Sequence, residues 1–196
     1  MLKGAGSWED AVIAAVRSPA ELPAVLETRL KTVFLLGGDL QSLPEAARLL
    51  KARRRHLFLH IDLLEGVRND ASGIAFVKEM LHPAGIISTR PACLKLAHEA
   101  GMLAILRVFA IDSQALRTGR QHIEACSPEC IEILPGVAPV VLARAKQEFG
   151  SYPLIAGGLI QTPEDVLAAR RAGAAAVSTT CPAVWKWACG AGAASV

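Results

Sequence analysis

Short runs rich in Val, Ile and Leu recur along the chain about every 20–30 residues, and each is followed by a stretch whose apolar positions return with helical spacing. Runs that are apolar on both faces suit strands of a parallel sheet, which is covered on both sides. The predicted strands are Ala11–Val16, Thr32–Leu36, Leu57–Asp62, Gly85–Ser88, Leu103–Phe109, Cys130–Leu134, Tyr152–Ala156 and Ala175–Ser178. The predicted helices are Ala20–Leu30, Leu43–Arg54, Ser72–Met80, Pro91–Ala100, Ser113–Ala125, Ala138–Glu148, Pro163–Ala172 and Pro182–Ala188. Pro44, Pro91, Pro163 and Pro182 stand near helix starts, where a missing N–H is tolerated; Gly101, Gly150 and Gly173 follow helix ends, where a left-handed residue is wanted. Eight strand–helix units close naturally into a barrel, whereas an open doubly wound sheet usually has fewer strands and a glycine-rich first turn, which is missing after Val16. The expected fold is α/β: one compact (β/α)8 TIM-type barrel over residues 1–196, with short loops and a small-residue tail at Gly190–Val196 that frays.

Composition narrows the function classes. Hydrophobic residues make up 52% of the 196, yet no apolar run approaches the roughly 18 residues that cross a bilayer, and no signal-peptide core follows Lys3. The expected location is the cytoplasm. A formal charge of +3 is too mild to mark a nucleic-acid binder by bulk electrostatics. Five cysteines form no CxxC pair, which argues against a disulfide framework, and Cys126 and Cys130 lack a second pair of ligands at zinc-site spacing. No metal and no cofactor is expected.

Candidate chemistry gathers at the strand ends. Alternate residues of a barrel strand point inward, and those near its C-terminal end face the ligand site. Parity aims His60 and Asp62, Arg107, and Glu132 inward from their respective strands. Ions there need partners, because desolvating one costs several kcal/mol unless it is paired. Two readings stay open: a ligand-facing cluster, or an Arg107–Glu132 or Arg107–Asp62 pair that only fixes the core. Near the C-terminus, Gly157-Gly158 and Ser178-Thr179 end consecutive strands, in the loops where barrels commonly cradle a phosphate with backbone N–H groups and hydroxyls. A small phosphorylated ligand is therefore expected. Ser88, Thr89 and Arg90 either grip an anion or leave Thr89 to cap the helix starting at Pro91. The basic run of Arg48, Lys51, Arg53, Arg54 and Arg55 reads either as a solvated helix C-terminus or as an RNA-binding edge. Trp185 and Trp187 read as a subunit contact or as closure of the barrel bottom.

Several stretches in order resemble the glycerol-3-phosphate-responsive antiterminator family: Phe34-Leu35-Leu36-Gly37-Gly38-Asp39, His60-Ile61-Asp62-Leu63-Leu64-Glu65-Gly66, Asn69-Asp70, Gly85-Ile86-Ile87-Ser88-Thr89-Arg90, Glu132-Ile133-Leu134-Pro135-Gly136, Ile155-Ala156-Gly157-Gly158-Leu159-Ile160 and Ala176-Val177-Ser178-Thr179. Each block alone is weak; their joint order and spacing from about Ala11 to Trp185 are specific. The resemblance implies a barrel regulator that binds glycerol 3-phosphate and acts on the leader mRNA of glycerol-utilisation genes, and no enzyme. It implies a phosphate cradle of Gly157, Gly158, Ser178 and Thr179, and a pocket that includes His60, Asp62, Ser88, Arg90, Arg107 and Glu132.

The competing expectation is a phosphosugar enzyme on the same cradle, with Asp62 or Glu132 as general base and His60 as acid. No predicted strand ends in an inward lysine suited to a Schiff base, which leaves a metal-dependent route through Asp62, Glu132 and His60.

Overall fold

The computed structural model describes residues 11–190. The chain runs β1 (Val12–Val16), α1 (Leu22–Leu26), β2 (Thr32–Leu35), β3 (Gly38–Asp39), α2 (Leu43–Ala52), β4 (His56–His60), β5 (Leu64–Glu65), α3 (Ala71–Leu81) and β6 (Gly85–Ser88). It continues as α4 (Pro91–Glu99), β7 (Leu103–Phe109), α5 (Ser113–Cys126), β8 (Cys130–Leu134), α6 (Pro139–Phe149), β9 (Leu154–Gly157), α7 (Pro163–Arg171), β10 (Ala176–Thr179) and α8 (Pro182–Cys189). Eight strands close into a parallel barrel in the order β1-β2-β4-β6-β7-β8-β9-β10, with β10 returning to β1. The expected (β/α)8 barrel is the fold. The predicted tail lies, apart from Gly190, outside the described residues. No helix among those residues is long and apolar enough to cross a membrane.

Strand parity sorts the core into two shells. Ile13, Ala15, Phe34, Phe58, Ile87, Ile105, Cys130, Ile155 and Ala176 fill the barrel. Their strand neighbours, among them Val33, Leu59, Leu106, Ile131 and Val177, pack with Leu50, Val77, Leu94, Leu142 and Val184 of the surrounding helices. This two-sided burial is why the strands read as continuous apolar runs. It also separates Cys126, in the outer shell, from Cys130, in the inner one, so the two thiols cannot share a metal ion. Burial raises the pKa of both, that of Cys126 to about 11.

Three departures from the sequence reading have local causes. The predicted helix Ala20–Leu30 is a 3-10 turn at Pro19–Glu21 followed by the short α1. The Thr28 hydroxyl donates to the Val25 carbonyl (2.7 Å) and accepts from Leu30 N (3.3 Å), which turns the chain out of the helix. The third predicted strand, Leu57–Asp62, also ends early: β4 stops at His60, and Ile61–Leu63 form a 3-10 turn, so Asp62 loses the inward parity of a strand residue. Finally, β3 and β5 pair in parallel as a two-stranded sheet, tying the loops that leave β2 and β4. Helix starts follow side-chain chemistry: Asp70 accepts from Gly73 N, Asp112 from Ala115 N, and Thr162 with Asp165 completes a capping box.

Inside the barrel Phe34 and Phe58 meet edge to face, with centroids 5.6 Å apart. Gly85 makes room for them: a Cβ there would lie 2.4 Å from the Leu103 carbonyl oxygen and 2.7 Å from Phe58 Cε1. Gly85→Ala is therefore expected to overpack the interior at a cost of about 1–3 kcal/mol, a fall in Tm of roughly 3–10 °C by circular dichroism. An unchanged melting temperature would contradict this account of the inner shell.

Candidate functional site

A cavity of ≈ 480 Å³ opens at the C-terminal mouth of the barrel, lined by the ends of β1, β2, β7, β8, β9 and β10 and the loops that follow them. Its floor is ionic. Arg107 on β7 and Glu132 on β8 are register partners. Arg107 Nε donates to Glu132 Oε2 at 2.7 Å, and Ser178 Oγ on β10 donates to Glu132 Oε1 at 2.6 Å. All three are buried, with 8%, 1% and 3% exposure, and all three line the cavity. The Arg107–Glu132 pair exists, and it also lines the cavity, whereas His60 and Asp62, expected in the same cluster, do not. A guanidinium has five N–H donors, and one is committed here.

Gly157 owes its identity to this floor. A Cβ at that position would lie 2.7 Å from Glu132 Oε1 and 2.8 Å from Ser178 Oγ. Gly157 thus closes β9 beneath the cavity, while Gly158 lines the cavity itself with φ 84°. Leu159 follows with φ 62°, a left-handed conformation unusual for a side chain of that size. Gly136 packs on the same strand end, where an added Cβ would be 2.5 Å from Gly157 N.

Thr179 lines the cavity but spends its hydroxyl on the frame: Oγ1 donates to the Ile160 carbonyl (2.6 Å) and accepts from Cys181 N (3.1 Å). The Thr179 carbonyl accepts from Trp185 Nε1 at 2.8 Å. Trp185, 2% exposed, is neither a subunit contact nor a plug at the barrel bottom; it pins the last loop from below. Thr179 therefore staples the loops after β9 and β10 together, with Gly158, Leu159, Thr180 and Cys181 along the cavity wall.

Asp62, Ser88 and Arg90 form a separate clasp with Thr89. Asp62 Oδ1 accepts from Ser88 Oγ (2.8 Å), and Oδ2 accepts from Thr89 N (2.8 Å) and Thr89 Oγ1 (2.9 Å). Arg90 Nε lies 3.9 Å from Asp62. With the Asn69 amide oriented to donate to the Ile61 carbonyl (3.0 Å), its oxygen accepts from Arg90 NH1 at 3.1 Å. Asp62 thus joins the loops after β4 and β6. Thr89 does not cap α4; Arg90 occupies that position without a side-chain cap, and the Thr89 hydroxyl belongs to Asp62. None of Asp62, Ser88 and Arg90 lines the cavity. Among the described residues, no group of three His, Cys, Asp or Glu is placed to hold a metal ion, so Asp62, Glu132 and His60 do not converge as a ligand set.

His60 sits at the end of β4 with 3% exposure, and its Nδ1 is buried without a hydrogen-bond partner. Burial, reinforced by the Arg107 charge, lowers its pKa to about 4. Sequence reading missed Arg17, which follows β1 and lines the cavity from the side opposite the Arg107 strand. No carboxylate among the described residues pairs with its guanidinium. An arginine one residue past the first strand gives no motif, and only closure of β1 on β10 brings it to the phosphate-type loops.

Two outcomes follow. In the unfolded chain His60 takes up a proton near pH 6.5, while in the folded protein it resists until about pH 4. Stability should therefore fall as pH drops through that window, by on the order of 3 kcal/mol. Urea midpoints between pH 7 and 4.5 should show a shallower fall for His60→Gln than for the wild type; parallel curves would exclude His60 as the titrating group. Glu132→Ala leaves Arg107 buried without its partner and should cost about 3–5 kcal/mol, read as a lower urea midpoint at pH 7.

Comparison with known proteins converges on one family. Residues 12–185 match the family model described as glycerol-3-phosphate responsive antiterminator. An uncharacterized Escherichia coli (strain K12) protein, YgcP, is 36% identical over 177 residues, covering 90% of this chain and 92% of that protein. The crystal structure of the glycerol uptake operon antiterminator regulatory protein from Listeria monocytogenes superposes with TM-score 0.85 at 34% identity, covering 95% of this chain and 98% of the other. A glycerol uptake operon antiterminator-related protein from Thermotoga maritima gives TM-score 0.79 at 31% identity, with 90% and 98% coverage. Deoxyribose phosphate aldolase from Aeropyrum pernix, at 16% identity and TM-score 0.70 with 90% and 88% coverage, shares the fold alone. The chain belongs to the glycerol-3-phosphate responsive antiterminator family.

Proposed function

We propose that this protein is a metabolite-responsive transcription antiterminator that binds glycerol 3-phosphate in the cavity at the C-terminal mouth and acts on the leader mRNA of glycerol-utilisation genes. The observation that carries the reading is the division of that cavity into two chemistries. One side offers Arg17 and the residues Gly158, Leu159, Thr180 and Cys181 of the loops after β9 and β10, next to the first turn of α8. A phosphate dianion there meets a guanidinium, backbone dipoles and a helix N-terminus. The other side offers Arg107 as donor and Glu132 as acceptor, the pair that vicinal hydroxyls require. The volume falls within the range of small-ligand pockets, about 300–1,000 Å³.

Regulation rather than catalysis fits how the acidic groups are used. Glu132 holds Arg107 and Ser178, and Asp62 holds two loops, so each carboxylate is engaged as an acceptor. His60 is enclosed and is not part of the cavity lining. The arrangement supports recognition without a free base poised over a substrate carbon. The family name supports the RNA half of the reading.

The test is thermal unfolding with glycerol 3-phosphate, glycerol and inorganic phosphate in parallel. A ligand at about 100 times its Kd adds roughly 2.7 kcal/mol, or about 5–10 °C for a domain of this size. The shift should come with glycerol 3-phosphate, and Arg17→Ala should weaken its binding by about 10- to 100-fold in calorimetry, the worth of a charge-assisted hydrogen bond. Equal shifts with inorganic phosphate and glycerol 3-phosphate would remove the role given to Arg107 and Glu132. No shift with any of them would overturn the ligand assignment.

A further inference from the structure

A second cleft, of ≈ 330 Å³, opens at the opposite, N-terminal end of the barrel, outside its wall and between the C-terminal ends of α2 and α3. Its rim carries Lys51 at the end of α2, Arg54 and Arg55 in the loop that follows, His56 at the start of β4, and His82 at the C-cap of α3. Leu57 and Leu81 contribute an apolar floor. No carboxylate lines it, and none among the described residues pairs with these five side chains. Some cations elsewhere on the surface do find partners, Arg48 with Glu45, Arg68 with Asp70, His98 with Glu129 and Arg120 with Glu124; what sets this cleft apart is that its cations stand together around one concave surface.

Helix dipoles do not account for the cluster. Each helix C-terminus carries roughly half a negative charge, so the ends of α2 and α3 together offset about one unit. Lys51, Arg54 and Arg55 bring three permanent positive charges before either histidine is counted. Arg55 is held in place through one nitrogen, NH2, which donates to the Thr28 carbonyl at 2.6 Å, while its Nε is buried without a partner. Arg54 and His82 both stand in the left-handed region, with φ 53° and 46°. Two non-glycine residues in that region frame the same concave, cation-rich wall.

We infer that this cleft is the RNA-binding surface of the protein, holding one nucleotide of a single-stranded segment on its apolar floor while Lys51, Arg54 and Arg55 take the flanking phosphates. RNA suits it because phosphates alone would not need the floor, and imidazole planes are among the surfaces on which unpaired bases stack. The inference rests on the antiterminator reading for its partner class, and it resolves the basic run seen in the sequence. Lys51, Arg54 and Arg55 belong to the cleft; Arg48 is bound to Glu45, and Arg53 does not line it. His56 and His82 join from positions that the run does not include.

The experiment is fluorescence anisotropy of a labelled RNA hairpin with single-stranded flanks of mixed sequence, titrated with the full chain at several salt concentrations. The double variant Lys51→Gln/Arg54→Asn removes two cations, and asparagine tolerates the left-handed backbone at position 54. Its affinity should fall by about tenfold or more in low salt, and its salt slope should become shallower by roughly 0.7–0.9 per cation removed. Arg48→Gln should bind as the wild type does. Equal affinity and slope in the double variant would overturn the assignment of the surface while leaving RNA binding in place. No binding by the wild type would overturn both the surface and the RNA half of the proposed function. Competition by a free mononucleotide as strong, per molecule, as by unlabelled RNA would assign the cleft to a small ligand instead. The thermal shift with glycerol 3-phosphate, measured on the same variant, reports the opposite mouth and should match the wild type in every case.

Discussion

A buried carboxylate between an arginine and a serine sets the geometry of the C-terminal mouth. Glu132 is shut off from bulk water where it sits, so its two oxygens must be matched by Arg107 and Ser178. Those partners come from different strands, and the match demands a fixed register: Arg107 opposite Glu132, and Ser178 opposite Gly157. The strand between Glu132 and Ser178 must have no side chain at that level, which explains the glycine at 157 better than the needs of a phosphate do. The ion pair, the serine and the glycine are one constraint, and it aligns half of the barrel wall before any ligand is considered.

The next layer of loops depends on that alignment. Once β9 and β10 are locked side by side, Thr179 reaches the Ile160 carbonyl across the strand ends, and Trp185 holds the Thr179 carbonyl from beneath. The loops above the cavity are therefore fastened by side-chain hydrogen bonds to backbone groups of the frame. On the other side of the mouth Asp62 performs the equivalent task for the loops after β4 and β6. Rigid support of this kind is what a small polar ligand requires, because ordering the site on binding would consume affinity.

How far the sequence could be read follows from which interactions are local. The alternation of apolar runs and helical segments is local, and it yields the barrel; period-two parity within a strand is local, and it places Arg107 and Glu132 inside. Parity fails at Asp62 because the strand stops at His60, and no residue there announces the 3-10 turn that follows. Thr89 is misread for a related reason: its hydroxyl satisfies either a helix start or a carboxylate, and the carboxylate lies 27 residues upstream. Arg17 and the pair His56 and His82 are invisible because their meaning comes from barrel closure and helix packing, which bring distant positions to one end of the barrel.

The cavity and the basic cleft are joined by β4. His56 opens the strand at the basic cleft, and His60 closes it within the field of Arg107 at the cavity floor. Between them Phe58 packs on Phe34 in the barrel interior. A parallel strand of five residues, hydrogen-bonded on both sides, has little freedom to change length. The loop after β4 is clasped by Asp62, whereas the segment before it, residues 53–55, is exposed or half-buried and holds the left-handed Arg54. Of the two ends of β4, the one that carries the cleft's arginines is therefore the less constrained.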